Sequence, residues 1–373
     1  MRKISIELSK DDSIPYYLIK PDTSPEESLT EISFELEELC EEIHRDYHDD
    51  IPYRAEYCTY ISSLLVPGDQ FVFIKNGLGA NTESRNSSSK MFGRGFCKFV
   101  LRRYWDMRFF TEIPKLKLNE IKYLTHNISV IRDQGGNAPD FFCMDRYGQI
   151  FISEAKGSRR NENFGTAKFE SWINQYQRIS LKHSNRMHIS FKGFVVATCL
   201  GEIGDKVKTP KILIKDPKTK GELDINDSQY KSEFQEHILR QHYGKLLRIS
   251  GFPSLAKNLE NPHREDRVRR NERARTIEAD DRQYVCREEL LNRYHNFVRR
   301  SLDFRNLTIP LFQADIFEIL TNFNQSPLLS VEKLLRFVKV SEEIFSDGFY
   351  LKKYSELFSD NDTNNDNEGS AGF

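Results

Sequence analysis

Residues 137–158 read NAPDFFCMDRYGQIFISEAKGS, and this stretch predicts a β-hairpin with charged side chains at one end. Aspartate is favoured at the first position of a tight turn and glycine at the last, and Asp145 and Gly148 have this spacing. The runs on either side of the turn, residues 141–144 and 149–152, are apolar and favour β structure. The sequence therefore predicts two antiparallel strands joined by a short turn.

The register of this hairpin determines which charged groups meet. If the strands pair around residues 146–147, Asp140 lies opposite Ser153 and next to Glu154. Glu154 and Lys156 are two residues apart on one strand, so both project from the same face. We expect two carboxylates and one ammonium group to gather at the open end of the hairpin.

Two acids and a lysine in this arrangement have a specific chemical use. Carboxylate oxygens are ligands for hard cations such as Mg²⁺. A lysine beside them can offset charge on a phosphate or help to orient the attacking water. The alternative is a surface hairpin whose Glu154 and Lys156 are ordinary solvated charges.

The pattern resembles the PD-(D/E)XK nuclease superfamily, which has the restriction-endonuclease-like fold. Pro139 and Asp140 match the first half of the motif, and Glu154, Ala155 and Lys156 match the second half. The resemblance implies an α/β fold in which helices flank a core of mixed β-sheet. It further implies that Asp140, Glu154 and the backbone carbonyl of Ala155 bind the metal, and that Lys156 is the catalytic lysine.

A glutamine-bearing helix often follows the lysine in that superfamily. Residues 166–181 have apolar side chains at helical spacing, and Gln175 and Gln177 lie where the resemblance would place the glutamine. We expect one of the two to face the site. Arg178 could add a phosphate contact, and residues 191–200 predict a further buried strand.

Many members of the superfamily also have a glutamate on the helix before the aspartate strand. The corresponding predicted helix here, residues 92–110, has Cys97 and Lys98 at that place. Asp106, Glu112 and, at lower rank, Glu170 are the other acids that could serve as a third ligand. The resemblance implies Mg²⁺ or Mn²⁺ as the cofactor, and it is compatible with either one or two bound ions.

The composition excludes several other classes of protein. The chain has 373 residues, of which 38% are hydrophobic and 30% charged. No apolar run approaches the roughly 20 residues that cross a bilayer, so we expect a cytoplasmic protein without a membrane partner. The six cysteines are scattered without CxxC pairs, which predicts buried reduced thiols rather than a zinc site or a disulfide framework.

The net charge is −1, but the charges are unevenly distributed. Nucleic-acid binding requires local basic patches rather than a basic total. The candidate phosphate contacts around the site are Arg102, Arg103, Arg159, Arg160 and Arg178. The acidic stretch of residues 22–50 predicts an exposed helix face, and the basic run of residues 263–275 contains enough acids to be a solvated helix face.

The order of patterns predicts four regions. Residues 1–90 form an N-terminal α/β region that ends in a flexible loop at 77–90, and residues 91–225 form the nuclease-like core. Residues 226–358 form a helical domain, and residues 359–373 form a disordered tail.

The function predicted from the sequence is a metal-dependent nuclease that hydrolyses nucleic acid, with DNA preferred. Such an enzyme endangers its own host, which suggests a role in restriction, antiviral defence or a mobile element. It could act as a homo-oligomer or with a separate regulatory or ATPase chain. The alternative is a catalytically inactive protein of the same fold that binds nucleic acid or scaffolds a partner.

Overall fold

The computed structural model describes most of the chain. The described residues are 1–9, 15, 18–20, 27–47, 55–184, 188–190, 192–204, 209–216, 223–227, 230–261, 272–293, 308–340, 347–353 and 357. The chain divides into two compact units. The first comprises Met1–Tyr47, Tyr60–Leu239 and Lys339–Phe345, and the second comprises His48–Thr59, Arg240–Val338 and Ser346–Phe373. The predicted disordered tail lies outside the described residues.

Twelve of the described strands belong to the first unit. They are β1 (Arg2–Leu8), β2 (Glu31–Phe34), β3 (Met107–Glu112), β4 (Ile121–Tyr123), β5 (Ile128–Arg132), β6 (Phe141–Asp145), β7 (Ile150–Ser158), β8 (Ile179–His183), β9 (His188–Ser190), β10 (Lys192–Cys199), β11 (Lys211–Lys215) and β12 (Leu223–Asp224).

These strands form two sheets. The larger has seven strands in the order β2-β1-β11-β10-β7-β6-β3, and the smaller has five in the order β12-β9-β8-β5-β4. In the larger sheet, β7 is parallel to β10 and β1 is parallel to β11, and the other neighbours are antiparallel. The predicted mixed sheet flanked by helices is therefore present.

The described α-helices are α1 (Leu36–Tyr47), α2 (Ala55–Ser63), α3 (Thr82–Trp105), α4 (Ala167–Ile173), α5 (Lys231–Ile249), α6 (Pro253–Glu260), α7 (Ala314–Thr321) and α8 (Pro327–Val340). A 3₁₀ turn, Asn174–Arg178, continues from α4 and leads directly into β8. The predicted helix at residues 166–181 is thus shorter than expected, because Ile179 already belongs to a strand.

The long helix α3 corrects two predicted boundaries. The predicted loop at residues 77–90 is helical from Thr82, because Asn81 caps the helix and forms a capping box with Ser84. The predicted helix at residues 92–110 ends at Trp105, where Asp106 adopts a left-handed conformation with φ 57°. The residues after Asp106 form strand β3.

Helix α3 packs directly on β7 through two glycines. A Cβ atom on Gly157 would lie 1.7 Å from the Ser89 carbonyl oxygen, and one on Gly93 would lie 2.4 Å from the Gly157 nitrogen. Real Cβ atoms do not approach other atoms so closely, so both positions require glycine. This contact places α3 against the end of β7 that carries Glu154 and Lys156.

The N-terminal residues do not form a region separate from the core. Strand β1 lies between β2 and β11 inside the seven-stranded sheet, and Ile4 and Ile6 are buried there. The predicted boundary at residue 90 was wrong, since β1 pairs with a strand about 200 residues away. A composition shift along the chain does not report such long-range pairing.

The second unit is not the helical domain that the sequence predicted for residues 226–358. It contains a four-stranded sheet, in the order β13 (Ala274–Ala279), β14 (Arg282–Arg287), β15 (Thr308–Gln313) and β16 (Phe349–Lys353). The β13–β14 hairpin turns at Asp280 and Asp281, which both have positive φ, as a type I′ turn requires. Its inward side chains, including Ile277, Tyr284 and Cys286, form a buried cluster.

Two composition-based predictions can be compared with the structure. All six cysteines lie in the described part of the chain, and all are buried and outside disulfides, as predicted. Among the described helices, none combines the length and apolar character that a membrane crossing needs.

Candidate active site

The β6–β7 hairpin brings Asp140 and Glu154 together, with a register one residue different from the predicted one. Phe141, rather than Asp140, pairs with Ser153, and the Asp140 amide donates a hydrogen bond of 3.1 Å to the Ser153 carbonyl. Continuing this register sets Asp140 opposite Glu154. The two carboxylates therefore lie even closer in register than the sequence predicted.

The turn explains the shift in register. Gly148 adopts a positive φ of 74°, which makes a three-residue turn of residues 146–148 rather than a two-residue one. One Asp145 carboxylate oxygen accepts hydrogen bonds from the backbone amides of Tyr147 and Gln149. Because Asp145 is largely buried, its pKa rises to about 6, although these hydrogen bonds oppose the rise.

The carboxylate of Asp140 is held by two donors. Its Oδ2 atom accepts a hydrogen bond of 3.0 Å from the Ala155 amide, and its Oδ1 atom accepts one of 2.9 Å from Arg94 Nη1. The hydrogen bond from the Ala155 amide therefore connects Asp140, just before β6, with the middle residue of the Glu154-Ala155-Lys156 motif. The role predicted for Ala155 concerns its carbonyl oxygen and stays a prediction.

Glu154 is a buried acid, with no exposed surface. Burial raises its pKa to about 8, the negative charge of Asp140 adds to that rise, and Lys156 opposes it. Among the described residues, neither oxygen of Glu154 accepts a hydrogen bond of ordinary geometry, and the Lys156 ammonium group is in direct contact with its Oε1 atom. A carboxylate in this position favours a nearby cation.

Lys156 also contacts the helix-and-turn segment that follows β7. Its Nζ atom donates a hydrogen bond of 3.4 Å to Oε1 of Gln175, and Gln175 is buried. Of the two predicted glutamines, the structure therefore brings Gln175 to the site. The side chain of Gln177 lies outside the described residues.

A network of buried ions behind Asp140 was missed by sequence reasoning. The Arg94 guanidinium group contacts three carboxylates, those of Asp46, Glu112 and Asp140. Although burial alone would lower the pKa of Arg94, these acids raise it above its ordinary value. Lys98, one turn further along α3, contacts Asp46 at 2.5 Å.

This network occupies the place where the superfamily often has a helix glutamate. At this place α3 presents two cations, Arg94 and Lys98, to the acids. The spacing of four residues between them was the available signal, since it puts both on one helix face. The partner Asp46 could not be identified from the sequence because it lies 48 residues before Arg94.

The other acids considered as a third ligand differ in their placement. Glu112 ends β3, pairs with Phe141 across the sheet, and shares Arg94 with Asp140. Asp106 is ion-paired with Arg146 in the turn, at the opposite end of the hairpin, and Glu170 is exposed on α4. Within the described residues, no group of three metal-ligating side chains is arranged to hold an ion.

Two of the predicted phosphate contacts are engaged elsewhere. Arg102 is buried, with its Nε atom 2.6 Å from Glu42, which is also buried. Arg103 pairs with Glu38 at 2.7 Å. The prediction was wrong for Arg102, because the acidic helix α1 packs along α3 and its acids pair with these arginines instead of facing solvent.

The remaining three arginines lie near the site. Arg160 is exposed and Arg159 is half-buried beyond the end of β7, where Arg159 donates to Asn86 at 3.4 Å. Arg178 donates a hydrogen bond of 3.0 Å to the carbonyl of Asn137, three residues before Asp140. Arg159 and Arg160 remain candidates for phosphate contacts, whereas Arg178 braces the loop that leads into Asp140.

Comparison of the chain with protein-family models, with curated proteins and with solved structures found no match.

The side chains at the site have the oxygen ligands that a hard divalent cation prefers. Asp140 and Glu154 supply carboxyl oxygens from adjacent strands. Because burial raises the pKa of Glu154 to about 8, a nearby cation would favour the loss of its proton. Arg94 and Lys156 now contact these same carboxylates. The arrangement thus brings two acids, one lysine and one glutamine together at one end of the β6–β7 hairpin.

Proposed function

We propose that the chain is a Mg²⁺- or Mn²⁺-dependent nuclease that hydrolyses phosphodiester bonds in nucleic acid, with DNA preferred over RNA. The observation that carries the proposal is the meeting of Asp140, Glu154, Lys156 and Gln175 at one end of the central sheet. Asp140, Glu154 and Lys156 belong to one hairpin, whereas Gln175 belongs to the 3₁₀ turn that follows α4. The contact between Gln175 and Lys156 is therefore independent support for the proposal.

The topology around the motif supports a restriction-endonuclease-like core. Strands β3, β6 and β7 form an antiparallel meander, and the chain then crosses over through α4 to β10, which is parallel to β7. Helix α3 covers one face of β7. This agrees with the mixed sheet flanked by helices that the resemblance implies, with the motif on the neighbouring strands β6 and β7.

In this proposal, Asp140 and Glu154 would hold the cation, with the Ala155 carbonyl as a further oxygen. A bound divalent cation would supply charge stabilisation at the phosphate and a more acidic water. The protein contributes a buried, low-dielectric setting in which these charges act strongly.

Lys156 and Gln175 are proposed to act on the substrate side. The Lys156 ammonium group is partly exposed, so it can offset the negative charge of a phosphate or help to orient the attacking water. Its hydrogen bond with Gln175 fixes the direction of the ammonium group and sets the Gln175 amide beside it. The same amide could donate to a phosphate oxygen or to a water.

Cleavage of plasmid and single-stranded DNA, with Mg²⁺ or Mn²⁺, tests the proposal. We expect metal-dependent cutting by the wild type that is lost in Asp140→Asn and in Lys156→Ala. Asp216→Asn and Lys192→Ala are matched controls, because these residues pair with each other away from the site and should keep full activity. Absence of cutting by the wild type on both DNA and RNA would overturn the proposal.

One observation favours a second candidate, a protein of the same fold that binds nucleic acid without cutting it. Arg94 already supplies a permanent positive charge to Asp140, which is what a metal would otherwise provide. This candidate predicts nucleic-acid binding that is unchanged by Mg²⁺, by Mn²⁺ or by Asp140→Asn, and no cleavage under any of these conditions.

A nuclease of this kind must be restrained in its own cell. We infer a role in restriction, antiviral defence or a mobile element, with restraint from DNA modification, from self-association or from a separate regulatory or ATPase chain. Cleavage assays that compare modified with unmodified DNA, with and without host extract, separate these sources of restraint.

A further inference from the structure

The β4–β5 hairpin is rooted beside the proposed site. Strand β3 ends at Glu112 and strand β6 begins at Phe141, and these two residues are paired neighbours. The chain between them, residues 113–139, leaves the seven-stranded sheet, forms the β4–β5 hairpin of the second sheet, and returns to Asp140. Both ends of this segment therefore lie at the same end of strands β3 and β6, beside Asp140.

Hydrogen bonds fix the base of the hairpin with respect to Asp140. The Arg132 guanidinium group, at the end of β5, donates to the carbonyls of Leu116, Gln134 and Gly136. The Ile113 amide donates to the Asp140 carbonyl at 2.9 Å. These hydrogen bonds hold the base of the hairpin next to Asp140.

The outer part of the hairpin exposes large apolar side chains. Leu118 is 55% exposed, Ile121 is 54% exposed and Tyr123 is 69% exposed. Strand β4 lies at the edge of the five-stranded sheet, and all three of its residues are exposed. Single exposed apolar residues are ordinary, but Ile121 and Tyr123 are two positions apart on β4 and therefore share one face of this edge strand.

Three lysines lie in the same segment: Lys115 and Lys117 precede β4, and Lys122 lies in β4 on the face opposite to Ile121 and Tyr123. Lys115, Lys117 and Lys122 are exposed, and their ammonium groups form no ion pair with other residues that the structure describes. The arginines of α3 that the sequence suggested for phosphate binding, Arg102 and Arg103, are by contrast paired with glutamates. Glu120 is the one acid in residues 115–123, so this segment keeps a net positive charge that is available to an anionic partner.

We propose that this hairpin surface, residues 115–123, binds a strand of nucleic acid, with Tyr123 stacking on a base and the three lysines contacting phosphates. An aromatic ring among unpaired cations is the arrangement that holds single strands without sequence preference. The surface would hold the strand on the β3 side of the site, while Arg159 and Arg160 lie beyond the end of β7. The inference rests on the proposed function for its substrate class.

A second copy of the chain is the other possible occupant of an edge strand. Lys122, in the middle of the edge strand β4, opposes pairing with an identical strand, because like charges would be brought together. Together with Lys115 and Lys117 it attracts a phosphate backbone. The charge on the hairpin therefore favours nucleic acid over self-association.

Fluorescence anisotropy with a labelled oligothymidylate of about 16 nucleotides tests the inference. The measurement is made with a chelator that removes divalent cations, so that the oligonucleotide is bound but not cleaved. We expect Tyr123→Ala to weaken binding by about tenfold or more, which is the usual cost of losing one stacked base. Tyr147→Ala is the matched control, because Tyr147 is similarly exposed but lies in the β6–β7 turn, away from Asp140.

The lysines are tested by the dependence of binding on salt. Replacing Lys115, Lys117 and Lys122 together by glutamine should reduce the slope of log K against log salt by about two, at about 0.7 per phosphate contact. The matched replacement of all three by arginine should keep the slope. Circular dichroism and thermal melting establish that each variant is folded.

The possible outcomes separate this inference from the proposed function. Cleavage by the wild type with unchanged binding and KM in the Tyr123 and lysine variants would overturn the inference and leave the nuclease intact. Binding lost in those variants, without any cleavage by the wild type, would support the surface and overturn the nuclease. A wild-type dimer that dissociates in Tyr123→Ala would overturn the inference in favour of self-association.

Discussion

At the residue scale, the sequence identified the acids and the lysine of the site but not the ions that surround them. Asp140, Glu154 and Lys156 lie on one hairpin, so turn chemistry and strand alternation were enough to bring them together. Arg94 and Asp46 join the same cluster from two helices. A contact over about 50 residues leaves no local periodicity, which is why it was missed.

The raised pKa of Glu154 predicts how stability depends on pH in chelator, with divalent cations removed. The folded protein keeps the Glu154 proton up to about pH 8, whereas the unfolded chain releases it near its ordinary value of 4.5. Between these values the unfolded state binds fewer protons, so this group lowers the free energy of unfolding as the pH rises. Glu154→Gln has no proton to release, and its stability should fall less over this range.

Urea denaturation at pH values near the two limits measures this effect. Glu170→Gln is the matched control, because Glu170 is exposed on α4 and its replacement should reproduce the wild-type dependence on pH. A Glu154→Gln variant whose stability follows the wild type in parallel at every pH would contradict the pKa assigned to Glu154.

Arg94 carries the second prediction at this scale. Replacing Arg94 by methionine removes a counter-ion from Asp140, from Glu112 and from the buried Asp46. Breaking a buried ion pair such as Arg94–Asp46 costs about 3–5 kcal/mol. Since Asp140 also loses its internal cation, the variant should bind Mn²⁺ more tightly than the wild type. Urea denaturation and Mn²⁺ titration measure the two effects.

Arg103→Met provides the comparison on the same helix. Arg103 forms a partly exposed pair with Glu38, so its loss should cost about 1 kcal/mol or less and leave Mn²⁺ binding unchanged. Equal losses of stability in the two variants, with equal Mn²⁺ affinity, would show that Arg94 has no special role at Asp140. Arg94→Lys keeps the charge and serves if the methionine variant does not fold.

At the element scale, the predictions succeeded where patterns were short and apolar. The strands β6, β7 and β10 were expected from their apolar runs, and all three are present. Helix boundaries failed where a single capping residue decided them, as at Asn81 and Asp106. Composition made residues 77–90 look like a loop, but an N-cap and packing against β7 outweigh weak helix propensity.

The second unit shows a different limit at the same scale. Its strands β13 and β14 are largely polar on their outer faces, and the run of residues 263–275, which reaches into β13, was taken for a solvated helix face. The turn at Asp280 and Asp281 was the available signal, because both residues tolerate the positive φ of a type I′ turn. Two adjacent aspartates are weaker evidence for this turn than Asn-Gly would be.

At the scale of the whole molecule, the sequence predicted a mixed sheet but not its extent. The order of the seven strands depends on β1, which pairs on one side with β2 and on the other with β11. Parallel pairing between distant strands follows from tertiary packing, and no pattern within either strand specifies it. The sheet, rather than the predicted boundary at residue 90, therefore defines the folding unit that supports the site.

The pairing of β1 with β11 gives the last prediction. Ile6 lies in the middle of β1, opposite Ile212, and is buried, so Ile6→Ala should cost about 2–5 kcal/mol. If the seven strands unfold together, hydrogen-exchange protection of β7 and β10 should fall by the same amount as that of β1. Ile203→Ala, at an exposed position, should change neither quantity. Loss of protection confined to β1 and β2 would instead restore the separate N-terminal region that the sequence suggested.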